Sequence, residues 1–222
     1  ELGTNVTLVA RNEEMLKSSM LELDTSHYQQ HNYLLLDFSD YENVEAKFRQ
    51  HIKEENITYH ILVNNTAGPA GGLAIDALPE EFLHTFNNHL LCNHVITKIV
   101  AEGMKQSGYG RIINIISTSV KQPIQGLGVS NTIRGAVANW AKTLSNELGQ
   151  FGITVNNVLP GATLTDRMTE ILESKSKKTG LNIDAIAEEM KKEIPMRRFA
   201  EPREVAAAVA FLASPAASYI NG

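Results

Sequence analysis

Short apolar runs alternate with longer amphipathic segments along almost the whole chain, and this alternation constrains the fold more than any other feature. Apolar runs separated by helix-length segments are typical of parallel strands joined by crossover helices. The sequence predicts strands over residues 5–10, 32–36, 59–64, 110–116 and 153–158. It predicts helices over residues 12–24, 40–54, 79–107 with a break, 127–150, 183–192 and 201–213. We therefore expect an α/β fold with a doubly wound parallel sheet in three layers, which binds ligands outside the carboxyl ends of its strands.

Length and charge narrow the range of functions. With 222 residues, of which 43% are hydrophobic, the chain can bury one substantial core, and we expect a single domain over residues 1–222. A net charge of −5 gives no electrostatic footprint for nucleic acid or an anionic membrane, so we expect neither partner. Cys92 is the only cysteine, which excludes an intrachain disulfide and favours a cytoplasmic location. The histidines lack metal-ligand spacing, and we expect no metal.

Six short motifs occur in the order in which one enzyme family carries them. They lie at residues 5–12, 34–40, 62–68, 111–117, 155–165 and 194–202. Together they resemble the short-chain dehydrogenase/reductase family. The third motif is similar to the family's Asn-Asn-Ala-Gly signature, with Thr66 inserted or substituted. The resemblance implies a Rossmann-type fold, a nicotinamide cofactor and hydride transfer.

The two ends of the sequence differ from the family pattern. The family opens with a strand and a glycine-rich turn, and this sequence has neither before residue 5. Residues 1–4 instead resemble the end of the helix that follows that turn. Residues 218–222 stop where family members usually continue into a final strand. We therefore expect that the first strand, the glycine-rich turn and the C-terminal end are missing from this sequence.

The segment from Ser117 to Arg134 resembles the family's catalytic stretch with two replacements. The family has a serine at a strand end, a tyrosine thirteen residues later and a lysine four residues after that. Those positions fall on Ser117, Ser130 and Arg134. Ser130 and Arg134 are four residues apart on a predicted helix, so they share one face. Because an alkyl alcohol is far less acidic than tyrosine and arginine stays charged, we expect an atypical site with weakened acid–base chemistry.

Arg134 and His89 are further candidates for that site. In the family the lysine holds the cofactor ribose, and Arg134 could do the same or clamp a substrate carboxylate with its planar fork. The family's water-anchoring asparagine aligns best with His89, and Asn87 and Asn88 are close alternatives. Because imidazole has an ordinary pKa of about 6.5, His89 could supply the lost proton transfer. The alternative is a packed or hydrogen-bonded structural histidine.

Arg11 follows the first predicted strand, where proteins of this fold distinguish the two nicotinamide cofactors. An acidic residue there would hold a ribose 2′-hydroxyl, whereas an arginine suits a 2′-phosphate, so Arg11 favours NADP(H) over NAD(H). The alternative is a solvated residue at the start of a helix. The resemblance implies that Asp37 contacts the adenine edge. Its alternative is an N-terminal cap near Ser39 and Asp40.

Two turns resemble the family's remaining cofactor contacts. The first comprises Asn64, Asn65, Ala67 and Gly68. The second comprises Pro160, Gly161, Ala162 and Thr165. Gly68 lacks the side chain that would obstruct the approach of a cofactor. The second turn would bend around the nicotinamide, near its carboxamide. Each turn has an ordinary structural alternative.

These observations favour an NADP(H)-dependent oxidoreductase that transfers hydride between nicotinamide and a small carbonyl or alcohol. A 3-oxoacyl reductase is the nearest analogy. The rival hypothesis is a noncatalytic homologue that binds nucleotide or another subunit. The resemblance also implies a homodimer or homotetramer and a substrate lid over residues 164–192, which are rich in Lys and Glu.

Overall fold

The computed structural model describes residues 3–222, which contain five short strands. They are β1 (Thr7–Ala10), β2 (Asn32–Leu35), β3 (Ile61–Asn64), β4 (Gly110–Ile115) and β5 (Ile153–Val158). All neighbouring strands are parallel, with β1 paired to β2 in one sheet and the order β3-β4-β5 in a second sheet. The predicted parallel α/β fold is confirmed, and every strand lies within two residues of its predicted start.

Eight α-helices connect and cover these strands. They are α1 (Glu13–Leu21), α2 (Tyr41–Glu55), α3 (Pro79–Phe86), α4 (Cys92–Ser107), α5 (Gly128–Leu148), α6 (Asp166–Thr179), α7 (Ile183–Lys192) and α8 (Pro202–Ala213). A π-helical turn over Asn87–Leu91 separates α3 from α4, and short 3₁₀ turns occupy Thr118–Val120, Gly149–Phe151 and Pro215–Ala217. The predicted break within residues 79–107 is therefore this π turn. Helix α6 was not predicted as a helix.

Local sequence explains where several of these helices begin and end. Asp40 caps α2 by accepting hydrogen bonds from the backbone of Glu42 and Asn43. Helices α3 and α8 both begin with proline, which has no N–H to leave unpaired there. Gly108 and Gly180 end α4 and α6 in the left-handed conformation, which costs glycine little. These signals are local, so they can be read from the sequence.

The core lies between the central sheet and the helices that cover it. Strands β4 and β5 are buried over most of their length, as is usual where helices cover both faces of a parallel sheet, although they carry buried polar residues among the apolar ones. The core residues with the least exposure include Val44, Met104, Ile112, Ile153 and Val155. Full burial of one such side chain stabilises the fold by roughly 1.5–3 kcal/mol. This core fixes the carboxyl ends of the strands, where the site lies.

The outer edge of β5 is held by the last three residues. The Asn221 side chain accepts a hydrogen bond from Val155 N at 2.8 Å and donates one to Ser145 O at 2.9 Å. Asn156 donates from its side chain to Ile220 O at 2.8 Å. Side-chain bonds therefore satisfy backbone groups along the edge of this strand.

Two sequence expectations concern the chain ends. No strand precedes β1 among residues 3–222. The helix end predicted at residues 1–4 falls partly on residues 1 and 2, which lie outside the described part of the chain. Within residues 3–222, no helix combines the length and the apolar character needed to cross a lipid bilayer.

Candidate active site

Three asparagines mark the level at which β3, β4 and β5 end. Asn64 donates from its side-chain amide to Asn114 Oδ1 at 2.9 Å, and Asn114 donates to Asn157 Oδ1 at 3.1 Å. The three residues are register partners on adjacent strands. Because Asn64 and Asn114 are buried, these bonds satisfy polar groups that water cannot reach. We call this row the asparagine ladder, and it forms the floor of the site.

Arg134 lies on the second turn of α5 and is buried, with only 8% of its surface exposed. Its Nη1 donates to the carbonyl of Ile115 at 2.8 Å, and its Nη2 donates to the carbonyl of Thr66 at 3.2 Å. Burial lowers the pKa of Arg134 to about 10, so the guanidinium remains charged at neutral pH. The side chain therefore joins the end of β4 to the loop after β3.

His89 lies in the π turn and is buried, with 2% of its surface exposed. Its ring Nδ1 forms a hydrogen bond with the hydroxyl of Thr66. Burial, followed by the positive charge of Arg134, lowers the pKa of His89 to about 3. His89 is therefore neutral at physiological pH. Of its neighbours, Asn87 instead donates to Phe38 O at 3.1 Å, and Asn88 contacts the His84 ring at 3.0 Å.

Ser117 and Ser130 lie on two segments that pack against each other. Ser117 caps the 3₁₀ turn after β4, because its Oγ accepts a hydrogen bond from Ser119 N at 3.1 Å. Ser130 lies in the first turn of α5, which packs against that 3₁₀ turn. Both side chains are half-buried. A hydroxyl that accepts one hydrogen bond still has a proton to donate, so Ser117 can bind a substrate oxygen.

The start of α5 is tied to the loop after β3. Gly72 N donates to Gly126 O at 2.8 Å, and Gly128 N donates to Gly72 O at 2.9 Å. A Cβ atom on Gly128 would lie 2.3 Å from the backbone nitrogen of Ala74, so only glycine fits there. This contact holds the helix that carries Ser130 and Arg134 against the loop.

The ends of β1 and β2 carry Arg11 and Asp37, and both side chains are exposed. Asn12, next to Arg11, caps α1 by accepting from Met15 N. Asp37 accepts a hydrogen bond from Ser39 N at 2.9 Å. That bond lowers the pKa of Asp37 most, and the charge of Arg11 contributes to the shift. The cap of α2 is Asp40 and not Asp37, so the alternative role given to Asp37, that of a helix cap, is wrong.

The loop after β3 exposes the other residues of the first predicted turn. Asn65, Ala67 and Gly68 are exposed, whereas Asn64 is buried in the ladder. Arg167, near the start of α6, donates to Pro69 O at 3.0 Å. Helix α6 therefore contacts the loop directly, across the mouth of the site.

The turn after β5 borders a cavity of about 430 Å³. Pro160, Gly161 and Ala162 line it, together with residues of α8 and the segment before it. Ala162 O accepts a hydrogen bond from Ala200 N at 2.9 Å, which fixes the turn. Thr165 is exposed at the N-terminus of α6, and its hydroxyl makes no capping bond. The turn and this threonine thus lie at the same edge of the molecule as the loop after β3.

A second cavity, of about 360 Å³, lies between α6, α7 and residues 198–201. Arg198 lines both cavities and forms a bidentate ion pair with Glu204 at 2.6 Å. Neither cavity is lined by Ser117 or Ser130. Both of these cavities lie toward α6, α7 and α8, next to the turn after β5.

The structure adds site residues that the sequence did not single out. Asn114, Asn157 and Asn93 were missed, and Thr66 was noted only as a departure from a signature. Asn114 lies three residues before Ser117 at the end of a strand, and that position was the available signal. Asn93 donates to the backbone carbonyl of His89 at 2.7 Å, a contact within one helical stretch that no motif predicts.

Comparison with known proteins places this geometry in a family. A family model described as enoyl-(acyl carrier protein) reductase matches residues 1–222. The NADPH-dependent reductase BacG of Bacillus subtilis (strain 168) is 33% identical over 186 residues, which cover 84% of this chain and 71% of that protein. The 3-oxoacyl-(acyl-carrier-protein) reductase FabG of Rickettsia conorii is 32% identical over 222 residues, which cover 100% of this chain and 84% of that protein.

Solved structures agree with these relatives. The crystal structure of YwfH, an NADPH-dependent reductase involved in bacilysin biosynthesis, has a TM-score of 0.90 and 30% identity, and the match covers 98% of this chain and 84% of that one. An actinorhodin polyketide ketoreductase crystallised with NADPH has a TM-score of 0.88 and 29% identity, over 98% and 83% of the two chains. This chain therefore belongs to the short-chain dehydrogenase/reductase family.

Proposed function

We propose that this protein is an NADP(H)-dependent oxidoreductase that transfers hydride between nicotinamide and a small carbonyl or alcohol. The observation that carries the cofactor preference is Arg11, an exposed guanidinium at the end of β1 beside Asp37 at the end of β2. A planar fork of N–H donors suits a phosphate monoester. The relatives described as NADPH-dependent support the same choice.

The donor set fits a dinucleotide along the carboxyl ends of the strands. Arg11 would hold the 2′-phosphate and Asp37 the adenine edge. The exposed backbone at Asn65, Ala67 and Gly68 would border its middle, above the buried Asn64. Pro160, Gly161, Ala162 and Thr165 would hold the nicotinamide end. When bound, the nicotinamide supplies the hydride, and the protein supplies binding, orientation and electrostatics.

We propose that Ser130 and Arg134 stand where the family has tyrosine and lysine. The hydroxyl of Ser117 donates a hydrogen bond to the substrate oxygen and so orients the substrate. Ser130 shares the cleft, but an alkyl alcohol is a poor general acid at neutral pH. Weak acid–base assistance costs about 10²–10⁴ in rate, which leaves catalysis by positioning and by hydrogen bonds to the oxygen.

The substrate class follows from the space beside the site and from the relatives. Several relatives are named 3-oxoacyl or ketoacyl reductases, which act on carbonyls. The cavity at the turn after β5 is lined mainly by apolar residues, which suits a small carbonyl compound with an apolar portion. Residues 164–192, which form α6 and α7, would act as the substrate lid over this space.

We also propose a homodimer or homotetramer in the cytoplasm, with the whole chain forming one domain. Cys92 is a free cysteine in the core, as in proteins of a reducing compartment, and burial raises the pKa of its thiol to about 12. Light scattering on the purified protein tests the assembly, and a monomer at micromolar concentration would contradict it.

Calorimetric titration with NADPH and then NADH tests the proposed function. The wild type is expected to bind NADPH more tightly. Arg11→Ala should weaken NADPH binding about tenfold or more and leave NADH binding unchanged, since it removes one charge-assisted contact. Arg49→Ala, which changes an exposed arginine on α2, is the matched control.

The outcomes separate the two hypotheses. Binding of NADPH followed by turnover of a ketone panel supports the oxidoreductase. Binding of NADPH without turnover of any carbonyl or alcohol favours the noncatalytic homologue. Equal affinity for the two cofactors in the wild type would contradict the role of Arg11.

A further inference from the structure

We propose that Arg134 and His89 are positioning residues that clamp Thr66 from two sides and so hold the cofactor-binding loop after β3. This inference rests on the proposed function and deepens it. It assigns these two residues to cofactor affinity rather than to proton transfer or to a direct contact with substrate. We call Arg134, Thr66 and His89 the loop clamp.

The first half of the clamp is the guanidinium of Arg134. Its two terminal nitrogens donate to carbonyls that belong to two different strand ends, those of Ile115 and Thr66. The planar fork makes both bonds at once, which fixes the distance between the end of β4 and the loop. Only 8% of the side chain is exposed, so little of it is left to meet a substrate carboxylate.

The second half is the imidazole of His89. It binds the hydroxyl of the same threonine whose carbonyl Arg134 binds. His89 is itself fixed, because Asn93 donates to its backbone carbonyl at 2.7 Å. Thr66 is therefore held through its backbone by α5 and through its side chain by the π turn. Because the His89 ring is neutral and already hydrogen-bonded to Thr66, it acts by positioning the loop and not by proton transfer.

The clamp ends next to the exposed part of the loop. A Cβ atom on Gly68 would lie 3.9 Å from Arg134 Nη2, so the guanidinium underlies the loop as far as Gly68. Ala67 and Gly68 lie where the cofactor is proposed to pass. Loss of the clamp would let this backbone move away from its binding position. Affinity for the cofactor would then fall before the chemical step is affected.

Three variants test the clamp. Arg134→Met removes both carbonyl bonds. Arg134→Lys keeps the charge but replaces the planar fork with one compact ammonium group. Thr66→Val removes the hydroxyl at nearly constant shape. We expect the KM for NADPH to rise about tenfold in Arg134→Met and by a smaller factor in the other two, with kcat changed less than threefold. Arg49→Met is the control for loss of an exposed arginine.

A second readout does not need the cofactor. Backbone order parameters at residues 65–68, measured by NMR relaxation, should fall from about 0.85 in the wild type to below about 0.6 in Arg134→Lys and Thr66→Val, while those of β4 stay unchanged. If Arg134→Met fails to fold, Arg134→Lys and Thr66→Val still test the loop clamp.

The results distinguish the clamp from the proposed function. Unchanged order parameters at residues 65–68 in both variants would overturn the clamp, whatever the cofactor does. A collapse of kcat with an unchanged KM for NADPH would also overturn it, since Arg134 would then act on the reacting atoms. Lower order parameters at residues 65–68 in these variants, in a protein that never binds NADPH, would support the clamp and reject the oxidoreductase.

Discussion

At the residue scale, surroundings decide what the atypical side chains can do. Arg134 keeps its charge because its pKa of about 10 remains well above neutrality, and two of its N–H groups donate to backbone carbonyls. His89 does the opposite and loses its proton on burial. The same buried region therefore holds one permanent cation and one neutral ring.

The low pKa of His89 predicts a specific loss of stability in acid. Its folded pKa, about 3, lies below its ordinary value of 6.5, so the unfolded chain takes up the proton first. The stability present above pH 6.5 is lost as the pH falls toward 3. Between pH 7 and pH 5 the wild type should lose about 2 kcal/mol more than His89→Gln, measured by urea unfolding.

His27→Gln, which changes an exposed histidine, is the control and should follow the wild type. Equal acid sensitivity of His89→Gln and the wild type would show that His89 is protonated in the folded state.

At the element scale, the start of α5 depends on close contact between two backbones. Gly128 donates to Gly72 O, and its missing side chain lets the helix approach Ala74. The helix interior has no such requirement at Gly135, where an added Cβ atom would meet nothing within 4 Å. Replacement by alanine is therefore expected to destabilise the protein at Gly128 and to stabilise it at Gly135.

Gly128→Ala should lower the free energy of unfolding by about 1–3 kcal/mol, because the new methyl group overlaps backbone that cannot move cheaply. Gly135→Ala should raise it by about 0.5–1 kcal/mol, since alanine favours a helix over glycine. Urea denaturation measures both. A neutral Gly128→Ala would mean that the loop at Ala74 yields easily.

Elements with an apolar stripe or a capping signal could be predicted from the sequence, and others could not. The predicted helix at 183–192 matches α7, and the strand at 153–158 matches β5. Helix α6 was missed because Lys and Glu dominate it and it buries only Met168. Its ending at Gly180 was visible, but a polar helix has no periodic apolar face to reveal it.

Some features of the candidate site could likewise be predicted from the sequence, and others could not. The order of the motifs predicted that Ser117, Arg11 and Gly68 lie at strand ends, and the carboxyl ends of parallel strands meet at one edge of the sheet. The bond between Arg134 and Thr66 joins residues 68 positions apart, and no local pattern encodes it. The π turn that carries His89 into the interior likewise contains no proline or glycine to signal it.

At the scale of the whole molecule, residues 220–222 bind along β5. Asn221 satisfies Val155 N, a donor in the middle of a buried strand, and so joins the segment around residue 221 to the sheet. The bond crosses 66 positions of sequence. Stability of the sheet edge therefore depends on a residue far from it in the sequence.

Asn221→Ala should cost about 1–3 kcal/mol in the free energy of unfolding, because it leaves the N–H of Val155 unpaired. Chemical denaturation measures this loss. Asn139→Ala, which changes an exposed asparagine on α5, is the control and should be nearly neutral. Equal stability of the two variants would show that another group or water replaces the lost acceptor.

The asparagine ladder has a direction. Each amide donates from its nitrogen to the oxygen of the next, from Asn64 through Asn114 to Asn157. If Asn114 alone rotated by half a turn, nitrogen would face nitrogen on one side and oxygen would face oxygen on the other. The three amides can therefore reverse only together. One orientation of the amides is therefore shared by three strands along the asparagine ladder.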